Sequence, residues 1–397
     1  MQADTSSTEV SQEIIPYSRQ WIDNDDIQAV LDVLRSDRLT QGPAIREFEE
    51  RFAEYCGSKY AVAVSSGTAG LHLSCIALGI SSGDKVITSP MTFAASANCA
   101  LYVGATPVFT DIDPDTVCLD PQKLDEYLDN DPAAKIKAVI PVHFAGLPCD
   151  MEAISAIAEK KRLKIIEDAC HALGAEYPTG EKVGSCKYSD MTVFSFHPVK
   201  HITTGEGGMI TTNDPELYKK LLRLRSHGIT KSPEDFTGTE LSEPAEYYHE
   251  MQELGFNYRI TDIQCALGSS QLRKADMFRR ERAGIADFYN NALECLEDHL
   301  ILPHNSSGHA WHLYVVRLKN GNRDIAFRRL KESGIGVQVH YIPVYFHPYY
   351  QEMGFRKGLC PAAEDYFDKA ISLPLYPSMD KQDMERVVNE VSIAIKN

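Results

Sequence analysis

Between residues 60 and 212, short apolar runs alternate with stretches of helical spacing. The runs Tyr60–Val64, Lys85–Thr88, Pro107–Thr110, Ala138–Phe144 and Lys164–Glu167 are β-branched or aromatic and too short for helices. Two more, Met191–Phe196 and Met209–Thr212, flank a loop containing Lys200. Helical patterns fall at Thr68–Leu78, Phe93–Tyr102 and Met151–Lys161. Upstream, Asp23–Leu34 and Arg46–Cys56 read as amphipathic helices on either side of an LTQGP turn, the second ended by Gly57. Downstream, Lys231–Tyr248 reads as a polar surface loop and Asp262–Leu296 as one long helical pattern. A strand at Leu313–Leu318, a helix at Arg323–Ser333 and an aromatic-rich segment, Val339–Tyr350, follow.

This order predicts an α/β protein. A large domain, residues 15–270, holds a mainly parallel seven-stranded sheet with helices on both faces, and a smaller α+β domain, 271–397, follows it. Residues 1–14 read as a flexible polar tail without a hydrophobic signal core. Ligands of such sheets bind beyond the carboxyl ends of the strands.

Composition narrows the function classes. The 397 residues are 43% hydrophobic and 24% charged, and the net charge is −16, which argues against nucleic-acid and membrane-surface partners. Ten scattered cysteines form no C-x-x-C pair and no zinc spacing, so no metal site is expected. They read as reduced, mostly buried thiols of a cytoplasmic protein.

Lys200 alone reads as an ordinary solvated loop lysine. A lysine held between two buried strands has a second reading, as a group that forms a Schiff base with a carbonyl cofactor. Four features favour the second reading. SSGTAGLHL, residues 65–73, opens a helix after a strand and offers backbone N–H groups to a phosphate. Asp168 ends an apolar strand, where a buried carboxylate needs a cationic partner, either a structural arginine or lysine or a protonated ring nitrogen. His171 follows, a core histidine or a ring contact. Phe93 ends SPMTF and is placed to stack on a flat ring. Asn257 and Arg259, in GFNYRITD, interrupt an apolar context before a helix start. A phosphate cradle, a carboxylate, a stacking aromatic and a Schiff-base lysine together are the protein parts for pyridoxal 5′-phosphate (PLP).

The stretches LTQGP, SSGTAGLHL, SPMTF, IEDACHALGA, FSFHPVKHITTGEGGMITTND and GFNYRITDIQCALG resemble the DegT/DnrJ-type family of sugar aminotransferases. The likeness runs from about residue 15 to the C-terminus. It implies the aspartate aminotransferase-like PLP fold type I and an enzyme acting on nucleotide-linked keto-sugars. It further implies that Lys200 is the Schiff-base lysine and that Asp168 pairs with the pyridine nitrogen. Thr68 and Ser195 match phosphate ligands, Gly67 a cofactor-binding position, Phe93 the stacking position and His171 the position near the ring hydroxyl. Asn257 matches a phosphate ligand supplied across a homodimer with shared active sites. Within the family, PVHFAGLPCDM, LRSHGIT and GIGVQVHYIPV most resemble the aminotransferases of pseudaminic acid biosynthesis. That likeness implies L-glutamate as donor, leaving as 2-oxoglutarate, and a UDP-linked 4-keto-6-deoxy sugar as acceptor. The product would be UDP-4-amino-4,6-dideoxy-N-acetyl-β-L-altrosamine. A sister aminotransferase with another keto-sugar stays open. So does a PLP- or PMP-dependent sugar dehydratase, although histidine replaces the lysine in that class, and so does a non-catalytic binding protein on the same fold.

Overall fold

The computed structural model describes residues 14–130, 135–238 and 246–396. The expected tail, except its last residue, lies outside the described residues. Seven strands form the central sheet: β1 (Tyr60–Val64), β2 (Lys85–Thr88), β3 (Thr106–Phe109), β4 (Ile136–Ile140), β5 (Lys164–Asp168), β6 (Met191–Ser195) and β7 (Gly208–Thr212). Their spatial order is β1-β7-β6-β5-β4-β2-β3. β7 runs antiparallel to both neighbours, and the remaining pairs are parallel. The fold is therefore the mainly parallel seven-stranded α/β sheet expected from the alternation.

Nine helices are named here: α1 (Asn24–Leu34), α2 (Pro43–Cys56), α3 (Gly67–Ala77), α4 (Ala95–Tyr102), α5 (Pro121–Asn130), α6 (Met151–Lys161), α7 (Pro215–Arg225), α8 (Asp262–Leu272) and α9 (Ala275–Leu293). α2 seats β6 through aromatic contacts. Phe52 meets Phe194 edge-on at 5.1 Å between centroids, and Phe48 meets Phe196 at 5.4 Å. All four rings are buried, and they fix the strand that leads into the Lys200 loop. α3 lies almost wholly buried against β6 and β7. Gly208 permits that approach, since a Cβ there would stand 2.6 Å from the Ser66 carbonyl carbon and 2.7 Å from the Gly67 nitrogen.

Most bounds shift by a few residues at most, and two expected elements differ more. The run read as Ala138–Phe144 is a strand only over Ile136–Ile140. Pro141 has no N–H for the ladder, a single bridge from Val142 to Asp168 follows, and the chain turns away at Ala145, which adopts a left-handed φ of 56°. The pattern read as one helix over Asp262–Leu296 breaks at Arg273 and Lys274 into α8 and α9. Lys274 leaves the helical path, and its ammonium meets Asp26 at 2.7 Å and Asp23 at 2.8 Å at the start of α1. α8 is buried on nearly every side, whereas α9 presents one apolar face. The expected loop Lys231–Tyr248 leaves a hairpin of Ile229–Thr230 and Glu250–Met251, and its residues 239–245 lie outside the described residues.

Beyond α9, the strand Tyr314–Leu318 pairs antiparallel with Leu300–Ile301 and with Ala370–Leu373. A second core gathers Tyr289, Leu293, Tyr314, Val337, Val387 and Val391, and it includes Ile15 from the start of the chain. The segment after it packs back on the main core through Val344, Tyr345, Tyr350 and Tyr366. The aromatic-rich stretch 339–350 is thereby laid beside the carboxyl edge of the sheet. All ten cysteines are free thiols, and only Cys295 is exposed. Among the described residues no helix is long and apolar enough to cross a membrane.

Candidate active site

The sheet register aligns the strand ends. Ser195 pairs with Gly208, which also pairs with Val64, and Asp168 pairs with Val193. The carboxyl ends of β1, β5 and β6 therefore lie side by side, and the loop after each opens into one cavity of about 1130 Å³. That exceeds the roughly 300–1,000 Å³ typical of single small-ligand sites. Gly67, Thr68, Phe93, Asp168, His171, Ser195 and Lys200 all line it. Asn257 does not. It is exposed on a bridge to Ser226, outside this chain's own cavity.

Each side chain is held by its local structure. Ser66 caps α3, its hydroxyl accepting the Ala69 N–H at 3.1 Å. Gly67 and Thr68 are the first two residues of that helix, whose N–H groups have no intrahelical acceptor. Such a helix start favours an anion, and this one lies beside Ser195. Lys200 sits in a tight turn, its N–H donating to the His197 carbonyl at 2.8 Å, and the Ser18 hydroxyl braces the Val199 carbonyl at 3.3 Å. Burial pushes the Lys200 amine below its ordinary pKa, partly opposed by Cys170 and Asp168 nearby. The amine is thus biased toward the neutral form that nucleophilic and base chemistry need.

Asp168 is 5% exposed. Its Oδ1 accepts the Cys170 N–H at 3.1 Å, and its Oδ2 accepts the Ser96 hydroxyl at 2.5 Å. Ser96 in turn lies 2.7 Å from the Thr92 hydroxyl. Because Ser96 gives its hydrogen to a carboxylate that can only accept, Thr92 is the donor in that second bond. Among the described residues no arginine or lysine pairs with Asp168, so the structural ion-pair reading of this carboxylate is not met. His171 packs against His312 at 4.3 Å between ring centroids, and its Nε2 is 2.9 Å from the Tyr341 hydroxyl. Burial, then the nearby positive Lys200, lowers its pKa well below the ordinary histidine range. Phe93 is 65% exposed at the cavity wall.

Ser96, Thr92, His312 and Tyr341 were not identifiable from the sequence. Ser96 lies 72 residues from Asp168, and Tyr341 lies 170 from His171. Only the sheet order and the folded-back C-terminal segment bring them together.

A profile of the DegT/DnrJ/EryC1/StrS aminotransferase family matches residues 20–392. The chain belongs to this family. A curated relative, the spore coat polysaccharide biosynthesis protein SpsC of Bacillus subtilis, is 42% identical over 96% of this chain and 97% of its own length. Helicobacter pylori PseC, an aminotransferase involved in the biosynthesis of pseudaminic acid, has a TM-score of 0.88 at 31% identity, covering 97% of this chain and 100% of its own. Spr1654 of Streptococcus pneumoniae, solved in a PLP-form, has a TM-score of 0.87 at 30% identity, covering 96% of this chain and 99% of its own. The family member described here is a PLP-dependent sugar aminotransferase of fold type I. Its substrates are a keto-sugar and an amino donor.

The residues present fit the cofactor. A buried carboxylate without a cationic side chain suits a protonated ring nitrogen, and the start of α3 suits a phosphate. The lysine held toward its neutral form suits a carbonyl carbon. When bound, PLP supplies a carbonyl that accepts an amino group and a ring that holds electrons. Among the described residues the cavity lining contains no arginine, and Lys200 is its one lysine.

Proposed function

We propose that the enzyme moves the amino group of L-glutamate to carbon 4 of a UDP-linked 4-keto-6-deoxy-N-acetyl hexose, as in pseudaminic acid biosynthesis. The observation that carries this reading is the likeness to PseC over nearly the whole of both chains, with Lys200 and Asp168 meeting in one large cavity. The cavity's size supports a substrate bulkier than an amino acid. In this reading Lys200 holds the cofactor at rest. Its freed amine takes the proton from the donor's α-carbon and returns one to carbon 4 of the sugar in the second half-reaction. Asp168 keeps the ring nitrogen protonated. Gly67, Thr68 and Ser195 hold the phosphate, Phe93 stacks on the ring and His171 stands at its edge.

A second reading is a sister enzyme with another nucleotide-linked keto-sugar. The likeness to SpsC, whose name places it in spore coat polysaccharide biosynthesis, favours it. The deciding experiment supplies candidate UDP-4-keto-6-deoxy sugars with L-glutamate and identifies the amino-sugar by NMR. Formation of the 4-amino-altrosamine product supports the first reading. Turnover of a different keto-sugar alone supports the second.

The position of Asn257 outside its own cavity supports a homodimer in which Asn257 of the partner subunit completes each phosphate site. Arg259, half-buried two residues on, is placed to follow it with a positive charge. Subunit complementation tests this. Lys200→Ala and Asn257→Ala chains, each inactive alone, are mixed under conditions of subunit exchange. About half the dimers are then mixed, each with one intact site of two, so activity should return to roughly a quarter of wild type. Demonstrated exchange with no return of activity puts Asn257 in its own subunit's site or in none.

A further inference from the structure

The His171–Tyr341 contact joins two distant parts of the chain at the cavity wall. His171 follows β5 in the large sheet, and Tyr341 belongs to the aromatic segment that folds back from the second core. Tyr341 Oη and His171 Nε2 are 2.9 Å apart, and the two rings lie nearly parallel at 19°. His171 Nδ1 is buried and has no hydrogen-bond partner among the described residues. Orphaned buried polar atoms are rare in folded proteins, and this one belongs to a ring that lines the ligand cavity.

Which nitrogen bears the hydrogen decides what His171 can offer. A phenol, with an ordinary pKa of about 10, is a far better donor than a neutral imidazole N–H, and a neutral imidazole nitrogen is the better acceptor. The favoured arrangement is therefore Tyr341 O–H donating to Nε2. A neutral ring whose Nε2 accepts must carry its hydrogen on Nδ1. The groups around the ring keep it neutral. His312 packs on it, His201 lies 5.4 Å from His312 between centroids, and Lys200 and His340 are the other basic neighbours. Burial first, then Lys200, His340 and His201, disfavour an imidazolium here.

We propose that Tyr341 is a positioning residue that fixes His171 as its Nδ1–H tautomer, so that the ring presents a hydrogen-bond donor to an anionic oxygen of bound PLP. The bond would also tie the C-terminal segment to the cofactor wall. This inference rests on the reading that PLP fills the cavity and that His171 touches it.

The test is nitrogen NMR of protein labelled at histidine, free and loaded with PLP, with the His171 signals assigned by their loss in His171→Asn. The expected spectrum has His171 with a protonated Nδ1 and an acceptor-type Nε2, and the Nδ1 signal shifts on PLP addition. Tyr341→Phe should release the tautomer to a mixture and raise the apparent dissociation constant for PLP by about tenfold. In a His171→Asn background, Tyr341→Phe should change that constant less than about twofold, because its effect runs through His171. Wild-type His171 protonated at Nε2 overturns the proposal, as does an equal loss of affinity in both backgrounds. Where His171→Asn does not fold, His171→Gln supplies the assignment, and the wild-type spectrum then decides. Failure of the wild type to bind PLP at all sinks the cofactor reading instead, and is told apart by that result.

Discussion

Lys200→Ala is expected to abolish transamination while leaving a folded protein. The side chain sits in a turn held by backbone and Ser18 contacts, not by its own amine. In the proposed mechanism, removing it deletes the group that bonds the cofactor and moves the proton, and loss of positioned general-base catalysis alone costs about 10²–10⁴-fold. Turnover is followed with keto-sugar and amino donor, and folding by the thermal transition, which should stay near that of wild type. Residual turnover above a few per cent in a clean preparation removes Lys200 from the mechanism.

Asp168→Asn should keep some PLP binding and lose most of the activity, by roughly 10²-fold or more. An amide is nearly the same size and can still accept the Cys170 N–H, so the local fold should hold. It cannot hold a ring-nitrogen proton by charge, and the electron-accepting capacity of the ring falls with that proton. Ser96→Ala should act in the same direction and less strongly, by about tenfold, since it removes one hydrogen bond to a charged group. Steady-state kinetics of the three proteins check the ranking. Near-normal turnover in Asp168→Asn makes that carboxylate structural after all.

Much of the site was legible because it hangs on local sequence. A strand followed by SSGT gives a helix start facing a ligand, and a glycine-rich turn after Lys200 gives a rigid loop. Gly67, Thr68, Asp168, Ser195 and Lys200 each lie within a few residues of a strand end, so the strand pattern located all five on one edge. Strand ends were less legible where local chemistry overrides hydrophobicity. The apolar residues after Ile140 look like more strand, but Pro141 interrupts the ladder, which resumes only as one bridge from Val142 to Asp168. The break between α8 and α9 was hidden because Lys274 is an unremarkable helix residue until its partners, Asp23 and Asp26, are known to lie beside it. The same holds for Ser96 and Tyr341. A serine in an apolar helix and a tyrosine in an aromatic run have no local signal, and their partners are set by sheet order and by the return of the C-terminal segment.

The most direct test of the account is covalent mapping of the cofactor. Purified protein incubated with PLP should show a visible absorbance band that disappears on borohydride reduction. Digestion and mass spectrometry should then find the reduced pyridoxyl group on the peptide containing Lys200, and Lys200→Ala should show neither band nor adduct. A band that survives reduction, or an adduct on another lysine while Lys200 stays unmodified, contradicts the assignment of this cavity as the PLP site of a sugar aminotransferase.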